Sequence, residues 1–247
     1  MDTPAPPVIG FLHTSPVHVP TFRALVEARD PRARTIETVD ETLLDRARRQ
    51  GPDDAGLLAD LDDALTGLAA RGADVGVCTC STLGPAAETR NVPVEVVRID
   101  RPMARAAVMS GRRAAGAAIG EGADGHPRIA VVAALASTLG PTGALLEEEA
   151  RAAARRPRIE LRLAEGAWDL FEAGDGDGYR TCVTGTAREL ARAGADVVVL
   201  AQASMAGAAA ELAELRGPDG RPVPVLASPG PAVDEALRRA RVTLRRR

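Results

Sequence analysis

The sequence predicts an α/β protein built as two pseudo-symmetric lobes, with mainly parallel sheets and a cleft between them. Three observations carry this. Short apolar runs such as Val75-Gly76-Val77 and Val197-Val198-Val199-Leu200 alternate with segments of helical periodicity, the pattern of strands covered on both faces. The same order of segments occurs twice along the chain. Several of the runs open at their carboxyl ends into small polar loops, where open α/β sheets place their ligands.

The first half begins with the strand Val8-Ile9-Gly10-Phe11-Leu12, which opens into His13-Thr14-Ser15-Pro16. Residues 21–28 then read as a helix, with Phe22, Leu25 and Val26 on one face, and residues 35–39 as a second strand. Leu57, Leu58, Leu61, Leu65 and Leu68 recur at helical spacing up to Ala70, and Gly72 follows as a stop. The chain then enters Gly72-Ala73-Asp74-Val75-Gly76-Val77-Cys78-Thr79-Cys80-Ser81-Thr82-Leu83-Gly84, a buried strand that ends in a thiol, hydroxyls and a glycine. Residues 92–100 read as a further strand and 103–108 as the start of a helix.

A turn-rich stretch, Gly120 to Pro127, reads as a surface loop, and beyond it the pattern restarts. Residues 129–134 form a strand that opens into Ser137-Thr138-Leu139-Gly140-Pro141, and a helix is expected from Thr142 to about Arg155, with Glu147-Glu148-Glu149 on a solvated face. A strand over 159–163, a loop over 174–178 and a helix over 179–193 lead to Gly194-Ala195-Asp196-Val197-Val198-Val199-Leu200-Ala201-Gln202-Ala203-Ser204-Met205. A helix, the turn Gly217-Pro218-Asp219-Gly220, a strand over 222–226 and a final helix over 232–244 complete the chain.

The repeat is visible in residues. Gly72-Ala73-Asp74-Val75 matches Gly194-Ala195-Asp196-Val197, Val92-Pro93-Val94 matches Val223-Pro224-Val225, and Ile9 matches Ile129. These echoes assign residues 1–108 with 227–247 to a first lobe and 109–226 to a second. Pseudo-symmetry would set the Cys80 loop opposite the Gln202 loop across the cleft, flanked by the loops at His13-Thr14-Ser15 and Ser137-Thr138.

Composition narrows the function classes. With 34 acidic and 31 basic residues the net charge is -3, so no global basic field favours nucleic acid or an anionic membrane. Aromatic residues make up 2% of the chain, too few for a base-stacking platform. No apolar run is long enough to span a bilayer. Three cysteines, without a basic and apolar signal pattern in Met1 to Pro7, point to free thiols and a cytoplasmic setting. The Arg-rich segment Arg238 to Arg247 reads as the solvated end of a helix.

Several motifs are absent. There is no Gly-x-Ser-x-Gly elbow for a hydrolase, and no Gly-x-Gly-x-x-Gly or Walker loop for a nucleotide cofactor. Cys78-Thr79-Cys80 lacks the second cysteine pair a zinc site needs, and Gly174 to Gly178 lacks the ligand pattern of a calcium loop, so no metal is expected. Cys78 reads as a strand residue, Cys182 as helix packing and His126 as a surface residue. Cys80 is either an inert buried thiol or an active-site group, and its polar Ser-Thr-Gly loop at a strand end favours the second. His13, with an unperturbed pKa near neutrality, is either an acid/base or a hydrogen-bonding group, and His18 lies close by. Ser81, Thr82, Ser137, Thr138 and Ser204 are short donors that either cap helices or bind an anion, roles that can coexist.

These residues bring the chain close to a known group of proteins. It resembles the aspartate/glutamate racemase superfamily, which includes glutamate, aspartate and hydantoin racemases, maleate isomerase and arylmalonate decarboxylase. Cys80-Ser81-Thr82 resembles the family's Cys-Asn-Thr after the first Gly-Ala-Asp strand, and Val199 to Met205 is similar to its second-half Leu-Gly-Cys-Ala-Gly-Met. Ile9 to Ser15 is similar to its opening Ile-Gly-x-Phe-Asp-Ser-Gly. The resemblance implies a cofactor-independent enzyme, often a homodimer, in which two cysteines flank the α-carbon of a small carboxylate substrate.

The sequence departs from that pattern twice. Gln202 stands at the second cysteine position, and His13 stands where glutamate racemases carry an aspartate. An amide has no useful basicity near neutral pH, but its N–H groups can bind a carboxylate or enolate oxygen. The resemblance therefore implies proton transfer next to a carboxylate by Cys80, with His13 as the candidate second proton carrier. Thr14, Ser15, Ser81, Thr82, Ser137, Thr138, Gln202 and Ser204 are the expected substrate ligands. Two alternatives stay open: a one-thiol decarboxylase or lyase, which needs no pair of opposed bases, and a carboxylate-binding relative that has lost the chemistry.

Overall fold

Each Gly-Ala-Asp segment does two local jobs, and it does them identically in both halves. A computed structural model describes residues 5–110 and 126–246. In the first half the helix before the segment ends in a Schellman motif: Gly72 N–H donates to Ala69 O at 2.9 Å and Ala73 N–H to Leu68 O at 3.1 Å. In the second half Gly194 N–H donates to Ala191 O at 3.0 Å and Ala195 N–H to Leu190 O at 3.1 Å. Gly72 and Gly194 both have φ of 91°, left-handed backbone that a Cβ disfavours. The aspartate then clamps the neighbouring strand. Asp74 Oδ2 accepts from Val8 N–H at 2.9 Å, and Asp196 Oδ2 from Arg128 N–H at 2.7 Å.

In chain order the elements are β1 Val8–His13, α1 His18–Arg29, β2 Arg34–Val39, α2 Thr42–Gln50, α3 Ala55–Ala70, β3 Val75–Cys78, α4 Gly84–Glu88, β4 Glu95–Arg98 and α5 Arg101–Ser110. Then follow β5 Arg128–Ala133, α6 Ala136–Ala152, β6 Arg158–Leu163, α7 Ala167–Glu172, α8 Gly176–Arg192, β7 Val197–Leu200, the 3₁₀ turn Ala203–Met205, α9 Ala206–Glu211, β8 Val225–Ala227 and α10 Pro229–Arg246. Among the described residues two four-stranded sheets result, ordered β2-β1-β3-β4 and β6-β5-β7-β8, and every strand pair in them is parallel. These are the two pseudo-symmetric α/β lobes that the repeated segments predict. In each sheet the strand order reverses at the first strand of the lobe, so the switch point lies between β1 and β3 in one and between β5 and β7 in the other.

Of the described residues, 5–100 and 229–246 form one compact unit, and 101–110 and 126–228 the other. In the first, Leu57, Leu61, Leu65 and Leu68 of α3 bury against Leu12, Cys78 and Val96 of the sheet. In the second, Val183, Ala187 and Leu190 of α8 cover one sheet face with Val132, Val198 and Leu200. Met103, Ala104, Ala107 and Val108 of α5 cover the other face with Leu145, Leu146 and Ala150 of α6. Residues 101–108, expected in the first lobe, therefore share the second unit's core. Ala227 likewise pairs with Leu200 in the second sheet.

Other segments differ from expectation for physical reasons. The helix expected from Thr142 begins at Ala136 and runs through Pro141. An internal proline costs about 3 kcal/mol; the buried stripe Thr138, Thr142, Leu145, Leu146 offsets it. Glu149 is not on a solvated face: it is buried and paired with Arg101 at 2.6 Å and Arg105 at 2.9 Å. The loop expected over 174–178 is already helical from Gly176, because Asp175 caps α8 through Gly178 N–H at 2.9 Å. The strand expected over 92–100 pairs only over Glu95–Arg98, and α2 and α7 carry no strong sequence signal. The loop expected over 120–127 lies, apart from its last two residues, outside the described residues. Among the described residues no helix is long and apolar enough to cross a membrane.

Candidate active site

The first lobe gathers its polar residues where β1 and β3 end. Thr79 follows β3; its N–H donates to Leu12 O at 3.0 Å and its hydroxyl to the same carbonyl at 3.1 Å. With its hydrogen so committed, Thr79 Oγ1 receives His13 Nδ1 at 2.9 Å. His13 Nε2 lies 2.9 Å from Glu37 Oε2. Burial pushes the Glu37 carboxyl up, but bonds from His13, Thr35 and Arg23 outweigh it and hold Glu37 below the usual carboxylate range. Both ring nitrogens of His13 are thus engaged, Nδ1 with Thr79 Oγ1 and Nε2 with Glu37 Oε2. His13 is fully buried, with its ring against Phe11 and Phe22. It therefore anchors β1 to β2 and to the start of the Cys80 loop. The neighbouring His18 is lowered to about 4, first by burial and then by the charge of His13.

Cys80 comes next, 7% exposed. The Leu83 N–H, the Thr14 hydroxyl and the Thr82 N–H all bond its thiol. Burial pushes the thiol above the ordinary cysteine range, those three bonds pull it down, and the charge of Asp100 adds to the rise. At neutral pH Cys80 thus rests as a thiol, in a nest of donors that accommodates a thiolate when the proton leaves. Ser81 and Thr82 are buried beside it, Thr14 is 9% exposed and Ser15 half-buried. Cys78, the last residue of β3 and two residues before Cys80, is fully buried and pushed up to about 12 by desolvation.

The corresponding corner of the second lobe has the same backbone and different chemistry. Ala201 N–H donates to Val132 O at 2.9 Å, as Thr79 does to Leu12. Gln202 then turns inward, and its Oε1 accepts from Ala134 N–H at 2.6 Å and Leu135 N–H at 3.2 Å. Cys80 bonds Thr14 in the first lobe and Gln202 bonds Ala134 in the second, so the two residues occupy matching places in the repeat. Pinning the amide oxygen leaves the Nε2 hydrogens as the free donors of Gln202 among the described residues. Ser204, half-buried, shares a 2.7 Å hydrogen bond with Tyr179 OH. Burial pushes the Tyr179 hydroxyl up to about 12. Ser137 and the buried Thr138 lie in the first turn of α6 rather than in a free loop.

The structure therefore brings His13, Thr14, Cys80, Ser81 and Thr82 together at one strand end. It brings Gln202 to the start of α6, and Ser204 to Tyr179. Sequence reading missed Glu37, Thr79, Arg98, Asp100 and Tyr179. Arg98 and Asp100 carried a signal, two opposite charges flanking Ile99 directly after the apolar pair Val96-Val97; Glu37 and Tyr179 carried none, because their partners lie far along the chain. Among the described residues no cluster of His, Cys, Asp or Glu side chains is placed to hold a metal ion.

Two parallel α/β lobes of one design, with a thiol loop at the switch point of the first, define a class of α/β proteins with an internal repeat. The chain belongs to the Asp/Glu/Hydantoin racemase family, whose model matches residues 13–236. Similar solved structures include the aspartate racemase of Picrophilus torridus, with a TM-score of 0.68 and 13% identity over 95% of this chain and 94% of that one. An allantoin racemase from Klebsiella pneumoniae gives 0.61 and 20% over 96% and 88%. A glutamate racemase of Bacillus anthracis gives 0.62 and 15% over 93% and 79%. At such identities these structures share the fold. No curated protein matches the chain.

Proposed function

We propose that this protein catalyses cofactor-independent proton transfer at the carbon next to a carboxylate of a small acid or amino acid, with Cys80 as its thiol acid/base. The observation that carries this reading is the Cys80 thiol at the switch point of the first lobe, held by two backbone N–H groups and the Thr14 hydroxyl. A donor nest of this kind stabilises sulfur after it has lost its proton, which a thiol acting on a weakly acidic C–H bond requires. In this reading Ser15, Ser81, Thr82 and the Thr14 backbone are the substrate-binding groups of the first lobe, and Ser137, Thr138, Ser204 and the Gln202 Nε2 group are those of the second. Enolate charge that develops as the α-proton leaves is stabilised by the same donors.

His13 acts through Thr79 in this mechanism. Both its nitrogens are engaged by Thr79 and Glu37, so in this reading it holds the loop rather than reaching substrate. Gln202 cannot relay a proton, so Cys80 acts alone: its thiolate form takes the α-proton to become a thiol, the C–H electron pair passes into the enolate, and the thiol returns a proton to that carbon. A cytoplasmic setting accords with a thiol that must stay reduced.

A second reading is a lyase of the same family, in which Cys80 protonates the carbanion left by loss of carbon dioxide. Its resting state as a thiol favours this reading. The two are separated by incubating amino acids, hydantoins, maleate and substituted malonates in deuterated water. Deuterium at the α-position without carbon dioxide release supports proton exchange at a retained carboxylate. Carbon dioxide release, abolished by Cys80→Ala, supports the lyase. Binding of these acids with neither product would overturn both.

A further inference from the structure

The first lobe holds a buried ion pair that the mechanism above does not use. β4 ends at Arg98, whose guanidinium makes two parallel bonds to Asp100, Nε to Oδ1 at 2.6 Å and Nη2 to Oδ2 at 3.0 Å. The two side chains are 4% and 0% exposed. A buried pair stabilises little over well-packed apolar residues of the same volume. The second lobe dispenses with it: Ala227 sits opposite Leu200 where Arg98 sits opposite Cys78.

The position of the pair shows what it touches. A Cβ on Gly84 would stand 2.8 Å from Arg98 Nε and 2.9 Å from its Cγ, so the arginine lies flat against the first residue of α4. Gly84 follows Leu83, whose N–H bonds the Cys80 thiol. On the other side Ile99 N–H donates to Cys78 O at 3.2 Å, tying the strand that carries the pair to the strand that leads to Cys80. The titratable groups that act on the pair and its surroundings are Glu88 from α4, and Cys78 and Cys80 from β3 and its loop. Asp100 disfavours the thiolate at both cysteines, and Arg98 opposes it at Cys78.

We propose that Arg98 is a positioning residue for Cys80: seated flat against Gly84 and forked onto Asp100, it fixes the turn that points the Leu83 N–H at sulfur and holds Asp100 in place, so the pair sets how readily Cys80 reacts. The consequence for catalysis rests on the proposed role of Cys80, but the acidity itself is measurable without substrate.

The test is the pH profile of alkylation of Cys80 by iodoacetamide in the full chain, followed by mass mapping of the Cys80 peptide. Arg98→Met leaves Asp100 uncompensated and is expected to slow alkylation about tenfold at fixed pH below the titration midpoint, one pKa unit. Asp100→Asn is expected to speed it by a similar factor. A role in folding alone would move both variants the same way, so opposite signs support the proposal, and equal signs, or changes under about twofold in both, overturn it. If Arg98→Met does not fold, Arg98→Lys keeps the charge but loses the fork and is expected to slow alkylation by a smaller factor; wild-type alkylation in that variant overturns the proposal. Opposite shifts in alkylation with no α-deuterium exchange on any acid would leave this inference standing while the function proposed above fails.

Discussion

The carboxyl ends of β1 and β3 and the carboxyl ends of β5 and β7 share a backbone and differ in almost every functional side chain. The Schellman turns match to within a tenth of an ångström, and each aspartate clamp closes on the first strand of its sheet. Beyond the strands the halves part. The first has His13, Thr79, Cys80, Ser81 and Thr82; the second has Ala133, Ala201, Gln202, Ala203 and Ser204 at the corresponding places. What was kept in both copies is the hydrogen bonding that terminates a helix and starts a strand. What diverged is the chemistry at the end of the strand, where the backbone imposes nothing on the side chain. Such a site is asymmetric by construction: a thiol in a donor nest in one half, an amide serving its own backbone in the other.

That contrast can be broken most severely at His13. Its counterpart Ala133 shows that the fold tolerates alanine there. In the first lobe, however, His13→Ala would leave the nearly buried Glu37 with only Arg23 and Thr35 and open a cavity beside Phe11 and Phe22. Losing a buried hydrogen bond to a charged group costs about 1.5–3 kcal/mol, and the cavity adds to it; urea unfolding of His13→Ala against wild type measures the sum. Acid acts on the same corner. His18 has a folded pKa of about 4 against an ordinary 6.5, so the unfolded chain binds the extra proton first. Its contribution is fully present above pH 6.5 and is lost as the pH falls toward 4, up to about 3 kcal/mol. Glu37, held below the carboxylate range, adds a loss of the same sign at lower pH. Unfolding midpoints between pH 7 and 4 should fall steeply in the wild type and more gently in His18→Gln.

The second lobe responds to Gln202. Gln202→Ala removes the acceptor for the Ala134 and Leu135 N–H groups, expected to cost about 1–3 kcal/mol; Gln202→Glu, which keeps an acceptor there, should retain more stability by the same denaturation assay. The smallest effects should fall on the shared scaffold and be equal. Gly72→Ala and Gly194→Ala both force a Cβ into left-handed backbone at a φ of 91°, about 1–2 kcal/mol each. Unequal losses would show that the two turns are not energetic equivalents.

The scaffold was legible in the sequence because it is local. Glycine after a leucine-spaced helix, aspartate before a valine run and the Val-Pro-Val echo are short-range signals, and they gave the strands, the parallel order and the duplication. Cys80 was legible for the same reason, standing at the end of such a run. The partners of the site were not. His13 meets Glu37 on β2 and Thr79 after β3, and Ser204 meets Tyr179 on α8, pairings that exist only once the sheet order is set. Seen alone, His13 reads as a candidate base; its neighbours occupy both nitrogens. Gln202 reads as a substrate donor, yet its oxygen proves to be a backbone acceptor, which leaves only its N–H groups for that task.

The central claim is that proton transfer depends on the first-lobe thiol and not on its second-lobe counterpart. It is tested most directly by the rate of α-deuterium incorporation into the acid that exchanges fastest, measured for wild type, Cys80→Ala and Gln202→Ala. The account predicts a loss of about 10²–10⁴-fold in Cys80→Ala, the range for removing a general acid/base, and a loss of no more than about tenfold in Gln202→Ala, the size of one lost hydrogen bond. Wild-type exchange in folded Cys80→Ala, or a larger loss in Gln202→Ala than in Cys80→Ala, would contradict it.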